Sequence, residues 1–107
     1  MEENFKLVNT VLEVLASRKR FWLLYALKDE PLSYAELKRK FERMTGMRIG
    51  SSEVYKHLNT LLKNKFIHKD GTRYTITKRG MKAINGIEQI ARTKPERPKI
   101  ILRFNLM

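Results

Sequence analysis

Two short strand-like runs on either side of an Asp-Gly pair set the strongest constraint on how this chain can fold. The runs cover residues 66–69 and 72–77, and Asp70-Gly71 lies between them. Asp-Gly between such runs is the strongest short-range signal for a β-hairpin. Elsewhere, apolar residues recur mostly at intervals of three and four, which is the spacing of one helical face. The sequence therefore predicts a mainly α-helical fold with one small β-hairpin.

Five helices are predicted, four before the hairpin and one directly after it. They are expected at residues 4–16, 18–28, 34–44, 53–64 and 78–92. Residues suited to cap an N-terminus precede four of them: Ser17, Ser33, Ser51 or Ser52, and Thr77. Ser33 and Glu36 also match the capping box, while Leu32-Ser33 is expected to be a short extended link. A helix–loop–helix pair followed at once by a hairpin is the layout of a winged helix-turn-helix.

The chain is strongly basic, with 23 Lys and Arg residues against 11 Asp and Glu residues and a net charge of +12. Such a charge attracts polyanions, which include nucleic acids, acidic proteins and anionic membrane surfaces. The excess is localised, because residues 38–82 contain thirteen basic and three acidic residues, a net charge of +10. It therefore lies on the predicted helix-turn-helix and hairpin, which favours nucleic acid as the partner.

The fourth predicted helix has an apolar face and an opposite polar face. Its polar face combines hydroxyl, amide and ammonium groups, which can hydrogen-bond the edges of bases in the major groove of DNA. The structural alternative is an ordinary solvated face, which any amphipathic helix has. The residues predicted to face bases are Ser52, Tyr55, Lys56, Asn59 and Lys63.

Basic and hydroxyl side chains around this helix are candidates for contacts with the DNA backbone. They are Lys38, Arg39, Lys40, Arg43, Arg48, Ser51 and Thr60. Lys69 and Arg73 lie beside the predicted hairpin turn, where they could contact DNA from the wing. The alternative for both is a solvated edge charge that discourages pairing with another strand. Phosphate contacts would set affinity and register, whereas base contacts would set specificity.

The first and last helices carry more apolar residues than one small domain needs. Dimeric DNA-binding proteins require a two-fold interface, and these helices could supply it. The candidates are Val8, Val11, Leu15, Ile84, Ile87 and Ile90. The alternative is that these residues pack within one monomer. We expect a winged-helix domain at residues 1–94 that includes both helices, and an extended tail at 95–107. The apolar run 100–104 in this tail could be an arm that crosses to a partner or a strand on its own core.

Three segments carry a resemblance to a known family. Residues 15–27 read LASRKRFWLLYAL, residues 54–61 read VYKHLNTL, and residues 74–80 read YTITKRG. They resemble the second helix, the recognition helix V-x-x-H-L-x-x-L and the wing exit Y-x-L-T-x-x-G of prokaryotic or archaeal winged-helix regulators of the ArsR, PadR and MarR kind. The resemblance implies a homodimeric transcription regulator, with the fourth helix in the major groove and the wing on the DNA backbone or minor groove. It also implies that His57 is packed.

Several other chemistries lack support in the sequence. The chain has no cysteine, which excludes disulfides and the thiolate sites of ArsR metal sensors. Two isolated histidines, His57 and His68, make a poor metal site, so no metal and no cofactor are expected. No phosphate-binding loop or nucleophile–base pair is present, so we expect no enzyme activity. The longest apolar run, residues 21–27, is far shorter than the roughly 20 residues of a membrane-spanning helix. We expect a soluble, cytoplasmic protein.

These features predict a sequence-specific double-stranded DNA-binding transcriptional regulator that acts as a homodimer. Its recognition helix is expected at about residues 52–64 and its wing at about 66–77. Two alternatives stay open. One is a nonspecific nucleic-acid-binding protein, chromatin-like or RNA-binding, although no aromatic-rich sheet is predicted that could stack single-stranded bases. The other is a winged-helix module whose basic face binds an acidic protein.

Overall fold

Residues 2–96 are described by a computed structural model and form five helices and three short strands. In chain order the elements are α1 (Glu2–Leu15), α2 (Arg18–Ala26), β1 (Leu32–Ser33), α3 (Tyr34–Thr45), α4 (Ser51–Lys63), β2 (Ile67–Asp70), β3 (Arg73–Ile76) and α5 (Lys78–Arg92). The predicted mainly helical winged helix-turn-helix is confirmed. Most of the predicted tail, including the apolar run 100–104, lies outside the described residues. No helix within residues 2–96 is long and apolar enough to cross a membrane.

The helix ends follow the predicted capping chemistry at three of four positions. Ser17 accepts a hydrogen bond from the backbone of Arg20, Thr77 accepts one from Gly80, and Ser33 with Glu36 forms the complete capping box. The prediction for α4 was wrong, because its N-cap is Gly50 and makes no side-chain hydrogen bond. Gly50 is already extended, so helical geometry begins at Ser51 and both serines lie inside the first turn.

A Schellman motif ends α4 and leads the chain into the wing. The backbone N–H of Phe66 donates to the carbonyl of Leu61 at 3.0 Å, and that of Lys65 donates to Leu62 at 3.1 Å. Lys65 has a φ of 65°, the left-handed conformation that this motif requires after the C-cap. The motif thus turns Phe66 into the core directly before β2.

The wing is a three-stranded antiparallel sheet in the order β1-β3-β2. Leu32 pairs with Tyr74 and Ser33 with Arg73, so the expected extended link is a strand that joins the start of α3 to the wing. The hairpin turn is Gly71-Thr72 rather than Asp70-Gly71, because Asp70 still pairs with Arg73. Gly71 has a φ of 63°, which suits the first central position of a two-residue hairpin turn.

One continuous core holds the helices and the wing together. Its fully buried side chains include Val14, Leu23, Leu24, Leu37, Phe41, Val54, Leu58, Leu61 and Ile84. Gly80 lies where α5 crosses the wing, and a Cβ atom there would come 2.7 Å from Cγ1 of Ile76 and closer still to the carbonyl oxygen of Phe66. Such an approach leaves no space for a side chain. Glycine at this position therefore allows α5 to pack directly on the wing.

Candidate nucleic-acid interface

The five residues predicted to face bases all lie on the solvent-exposed side of α4. Ser52, Tyr55, Lys56, Asn59 and Lys63 are exposed, whereas the opposite face of the helix is packed in the core. The apolar anchors of that buried face are Val54, Leu58 and Leu61. Helix α4 therefore presents an exposed polar face that carries hydroxyl, amide and ammonium groups.

An aromatic stack joins the start of α3 to this surface. The rings of Tyr34 and Tyr55 are nearly parallel, with an interplanar angle of 9° and centroids 4.6 Å apart. Tyr55 is half exposed, while the hydroxyl oxygen of Tyr34 is buried. The stack fixes the Tyr55 ring at the edge of the polar surface. The sequence pattern gave no signal for it, because the two residues belong to different helices.

The residues predicted to contact the DNA backbone differ in their exposure and in the contacts that their side chains make. Arg39, Arg43, Arg48 and Ser51 are exposed, whereas Lys38, Lys40 and Thr60 are half-buried. Lys38 lies 4.0 Å from the Glu42 carboxylate in the same helix. The Thr60 hydroxyl donates to the carbonyl of Lys56 at 3.2 Å. The donors of the exposed members make no such contact with residues 2–96, so these members are the stronger candidates.

Arg73 has a structural role in the wing that neither sequence interpretation included. Its guanidinium lies 3.0 Å from the Glu36 carboxylate and 3.3 Å from the carbonyl of Pro31. Hydrogen bonds from Ser33, together with the charge of Arg73, hold the pKa of Glu36 below its usual value. The edge-charge alternative is wrong for Arg73, because β1 covers that side of β3 and makes it the central strand.

Lys69 lies on the outer strand β2, so both of its interpretations stay open. Its ammonium group is 5.5 Å from the centre of the Tyr74 ring, and the residue is exposed. Lys69 is thus the freer of the two cations predicted in the wing.

A buried histidine links α4 to the helices behind it. His57 is 6% exposed, and its Nδ1 atom accepts a hydrogen bond from Nε of Arg20 at 3.2 Å. Its Nε2 atom lies 3.6 Å from the Glu53 carboxylate, which is also 3.3 Å from the ammonium of Lys19. Burial, followed by the charge of Arg20, lowers the pKa of His57. The imidazole is therefore neutral at neutral pH and holds α2 against α4.

The residues predicted to form a dimer interface divide into three groups. Ile84 is completely buried in the core of its own chain, so its assignment to an interface is wrong. Val11, Leu15 and Ile87 are half-buried, while Val8 and Ile90 are exposed. Helix α1 also exposes Phe5 and Leu12, which the prediction did not include. Phe5, Val8 and Leu12 recur at helical spacing, and we refer to them as the α1 apolar face.

No cluster of three or more His, Asp or Glu residues suited to a metal ion occurs within residues 2–96. Exposed cationic and polar side chains of α3, α4 and the wing form a basic surface. This surface suits an anionic partner that also offers hydrogen-bonding groups.

No family model matches the chain. It is 30% identical over 98 residues to an uncharacterized HTH-type transcriptional regulator of Methanocaldococcus jannaschii, a match that covers 87% of this chain and 92% of that protein. The structure of reduced HlyU from Vibrio cholerae superposes with a TM-score of 0.64 and 23% identity, covering 88% of this chain and 97% of HlyU. An ArsR family transcriptional regulator gives a TM-score of 0.56 and 19% identity, covering 84% and 95% of the two chains.

Proposed function

Because this chain belongs to the family of helix-turn-helix (HTH) transcriptional regulators, we propose that it binds double-stranded DNA as a homodimer, with α4 in the major groove. The observation that carries this proposal is the exposed polar face of α4, which lies within the net +10 segment of residues 38–82. The resemblance to transcriptional regulators is supported by the Methanocaldococcus jannaschii relative, which is an HTH-type transcriptional regulator.

The chemistry of α4 supports direct recognition of bases. The side-chain amide of Asn59 can bond N6 and N7 of adenine together, and the ammonium groups of Lys56 and Lys63 can reach guanine or phosphate. The hydroxyl of Tyr55 belongs to a ring that the Tyr34 stack holds in place. A fixed ring loses less conformational freedom on binding than a mobile one.

The surrounding cations support a backbone clamp. Arg39 and Arg43 are exposed on α3, and Arg48 is exposed in the loop before α4. Ser51 begins α4, where free backbone N–H groups and the helix dipole favour a phosphate. Lys69 on the outer strand extends this basic surface to the wing.

The apolar surfaces of the terminal helices support the homodimer. Phe5 is 69% exposed on α1 and Ile90 is 75% exposed on α5, and such side chains gain from burial against a second copy. We propose an interface formed by the α1 apolar face with Val11, Leu15, Ile87 and Ile90. Two copies related by a two-fold axis would place two α4 helices on one duplex.

Selection of bound duplexes from a random pool tests the proposal directly. We expect enrichment of a palindromic site, because a two-fold dimer reads two equal half-sites. Equal affinity for unrelated duplexes would instead indicate nonspecific packaging, and the absence of duplex binding at moderate salt would indicate a protein partner.

Salt dependence and a matched pair of variants sharpen this test. If the dimer makes about 6–10 phosphate contacts, affinity falls by about 10³–10⁵ between 50 and 200 mM salt. Lys56→Ala is expected to weaken binding, whereas Lys94→Ala removes the same charge from an exposed residue outside the basic segment and is expected to have little effect. Equal losses in both variants would show that only the total charge matters.

A further inference from the structure

We infer that Arg20 is a positioning residue that fixes α4 against α1 through neutral His57, so that proton uptake by His57 weakens binding to the specific duplex. This inference deepens the proposed function and rests on the role of α4 as the reading helix. It assigns Arg20 and His57 to the control of recognition, although neither residue lies on the exposed surface of α4.

Arg20 connects three helices through two hydrogen bonds. From the first turn of α2, its NH1 group donates to the carbonyl of Glu13 in α1 at 2.6 Å. Its Nε group donates to Nδ1 of His57 in α4 at 3.2 Å. One guanidinium thus spans from a helix of the proposed dimer interface to the proposed reading helix.

The location of Arg20 is unfavourable for the helix that carries it. The first turn of α2 contains no acidic residue, and a cation there opposes the positive end of the helix dipole. Its contacts with Glu13 and His57 offset this cost. The neighbouring Lys19 braces the same region, since its ammonium donates to the carbonyl of Arg48 at 3.2 Å and lies 3.3 Å from Glu53.

The Arg20 contact requires one particular protonation state of His57. Because Nε of Arg20 donates to Nδ1, that nitrogen carries a lone pair and the single ring proton is on Nε2. A second proton on Nδ1 would face the guanidinium N–H, so two donors and two positive charges would oppose each other. Protonated His57 therefore has to separate from Arg20, and α4 loses its link to α1.

The charges around His57 act in both directions. Arg20 from α2 and Lys56 from α4 disfavour a positive imidazole, whereas Glu53 from α4 favours it. Lys19 from α2 partly neutralises Glu53. Burial is the largest influence and also lowers the pKa of His57, so protonation requires a pH below the ordinary value of 6.5.

Acidification is expected to change DNA affinity in the direction opposite to the one that general electrostatics predicts. A protein that gains positive charge on acidification normally binds DNA more tightly. Here acidification is expected to weaken binding to the specific duplex, because the gained proton misorients α4. A scrambled duplex, which does not need an oriented α4, is expected to show no such loss.

The first experiment measures the affinity of the full chain for the enriched duplex and for its scrambled version from pH 7.5 to below the pH at which the His57 ring takes up its proton in an NMR titration. We expect a loss of about fivefold for the enriched duplex, the factor that corresponds to one net hydrogen bond. His57→Gln retains an acceptor for Arg20 but does not titrate, so the affinity of this variant for the enriched duplex should not fall on acidification. His68→Gln removes the other of the two histidines, which is exposed on β2, and should behave like the unmodified chain. Tighter binding of the enriched duplex once His57 is protonated, or an equal loss in His57→Gln, would overturn the inference.

The second experiment needs no DNA. NMR titration of the His57 ring should show proton uptake at a pH below the ordinary value of 6.5. Arg20→Gln should raise the pKa of His57, and Arg20→Lys should restore part of the shift. Proton uptake by His57 at its ordinary pH in the unmodified chain, or an unchanged pKa of His57 in Arg20→Gln, would show that the Arg20 contact does not control His57.

The two experiments separate this inference from the proposed function. If no duplex is enriched, the proposed function fails and the regulatory role of Arg20 fails with it. If a duplex is enriched and its affinity does not fall when His57 is protonated, only the role of Arg20 and His57 is overturned.

Discussion

A single methyl group at Gly80 should separate the wing from the last helix. In Gly80→Ala the new Cβ would lie 2.7 Å from Cγ1 of Ile76 and even closer to the carbonyl oxygen of Phe66. That carbonyl also accepts a hydrogen bond from the backbone N–H of Thr77 at 3.0 Å. The backbone therefore has to move, and the junction between β2, β3 and α5 has to open.

Three contributions set the expected size of this effect. Forcing a methyl group into a packed site costs about 1–3 kcal/mol, and loss of the Phe66–Thr77 hydrogen bond costs about 1 kcal/mol. The higher helix propensity of alanine offsets about 1 kcal/mol. We therefore expect Gly80→Ala to lower the free energy of unfolding by about 2 kcal/mol.

Gly86 provides a matched control in the same helix. Apart from the two chain neighbours and the backbone of its own helix, an added Cβ at Gly86 meets no described atom within 4 Å, so Gly86→Ala should stabilise the protein by up to about 1 kcal/mol. Urea denaturation of both variants, followed by circular dichroism, measures the two effects. If Gly80→Ala were as stable as Gly86→Ala, the close approach of α5 to the wing would be refuted.

Three further predictions concern recognition, assembly and pH. Asn59→Ala should lose about 1–3 kcal/mol of affinity for the enriched duplex and relax the preference at one position of the site, as measured by repeated selection; a uniform loss over all duplexes would argue against a base contact. Val8→Asp should shift the sedimentation mass at micromolar concentration from dimer to monomer without loss of helix content, because it places a charge in the α1 apolar face; an unchanged mass would exclude this face from the interface. The free energy of unfolding should decrease as the pH falls below 6.5, because burial lowers the pKa of His57 and the unfolded chain then binds more protons; urea titrations at several pH values should show a weaker decrease in His57→Gln.

Local patterns were sufficient to predict most of the helices. The last helix spans Lys78–Arg92 as expected, and the capping box of Ser33 and Glu36 begins α3 as expected. Each of these features depends on residues within a few positions of one another. The polar face of α4 was equally accessible, because helical periodicity determines which residues share a face.

The features that the sequence did not reveal depend on contacts between distant segments. Strand β1 is two residues long and exists because Leu32 pairs with Tyr74. The assignment of Ile84 to an interface failed because an apolar residue has the same pattern whether it meets its own core or a partner. The contact of Arg20 with His57 likewise depends on how α2 packs against α4, which no local pattern records.

Strand β1 and the Arg73–Glu36 contact together prevent the wing from moving independently of α3. A wing attached to the domain only through its hairpin could change its distance to α4. Here β3 pairs with β1 as well as β2, and Arg73 on β3 also contacts Glu36 on α3. A duplex that contacts both α4 and the wing would therefore need a groove separation that matches the fixed distance between them. Sequences that narrow or widen a groove at little energetic cost would then be preferred at positions no side chain reaches. If the proposed function is correct, the fixed wing would make DNA shape part of what the protein recognises.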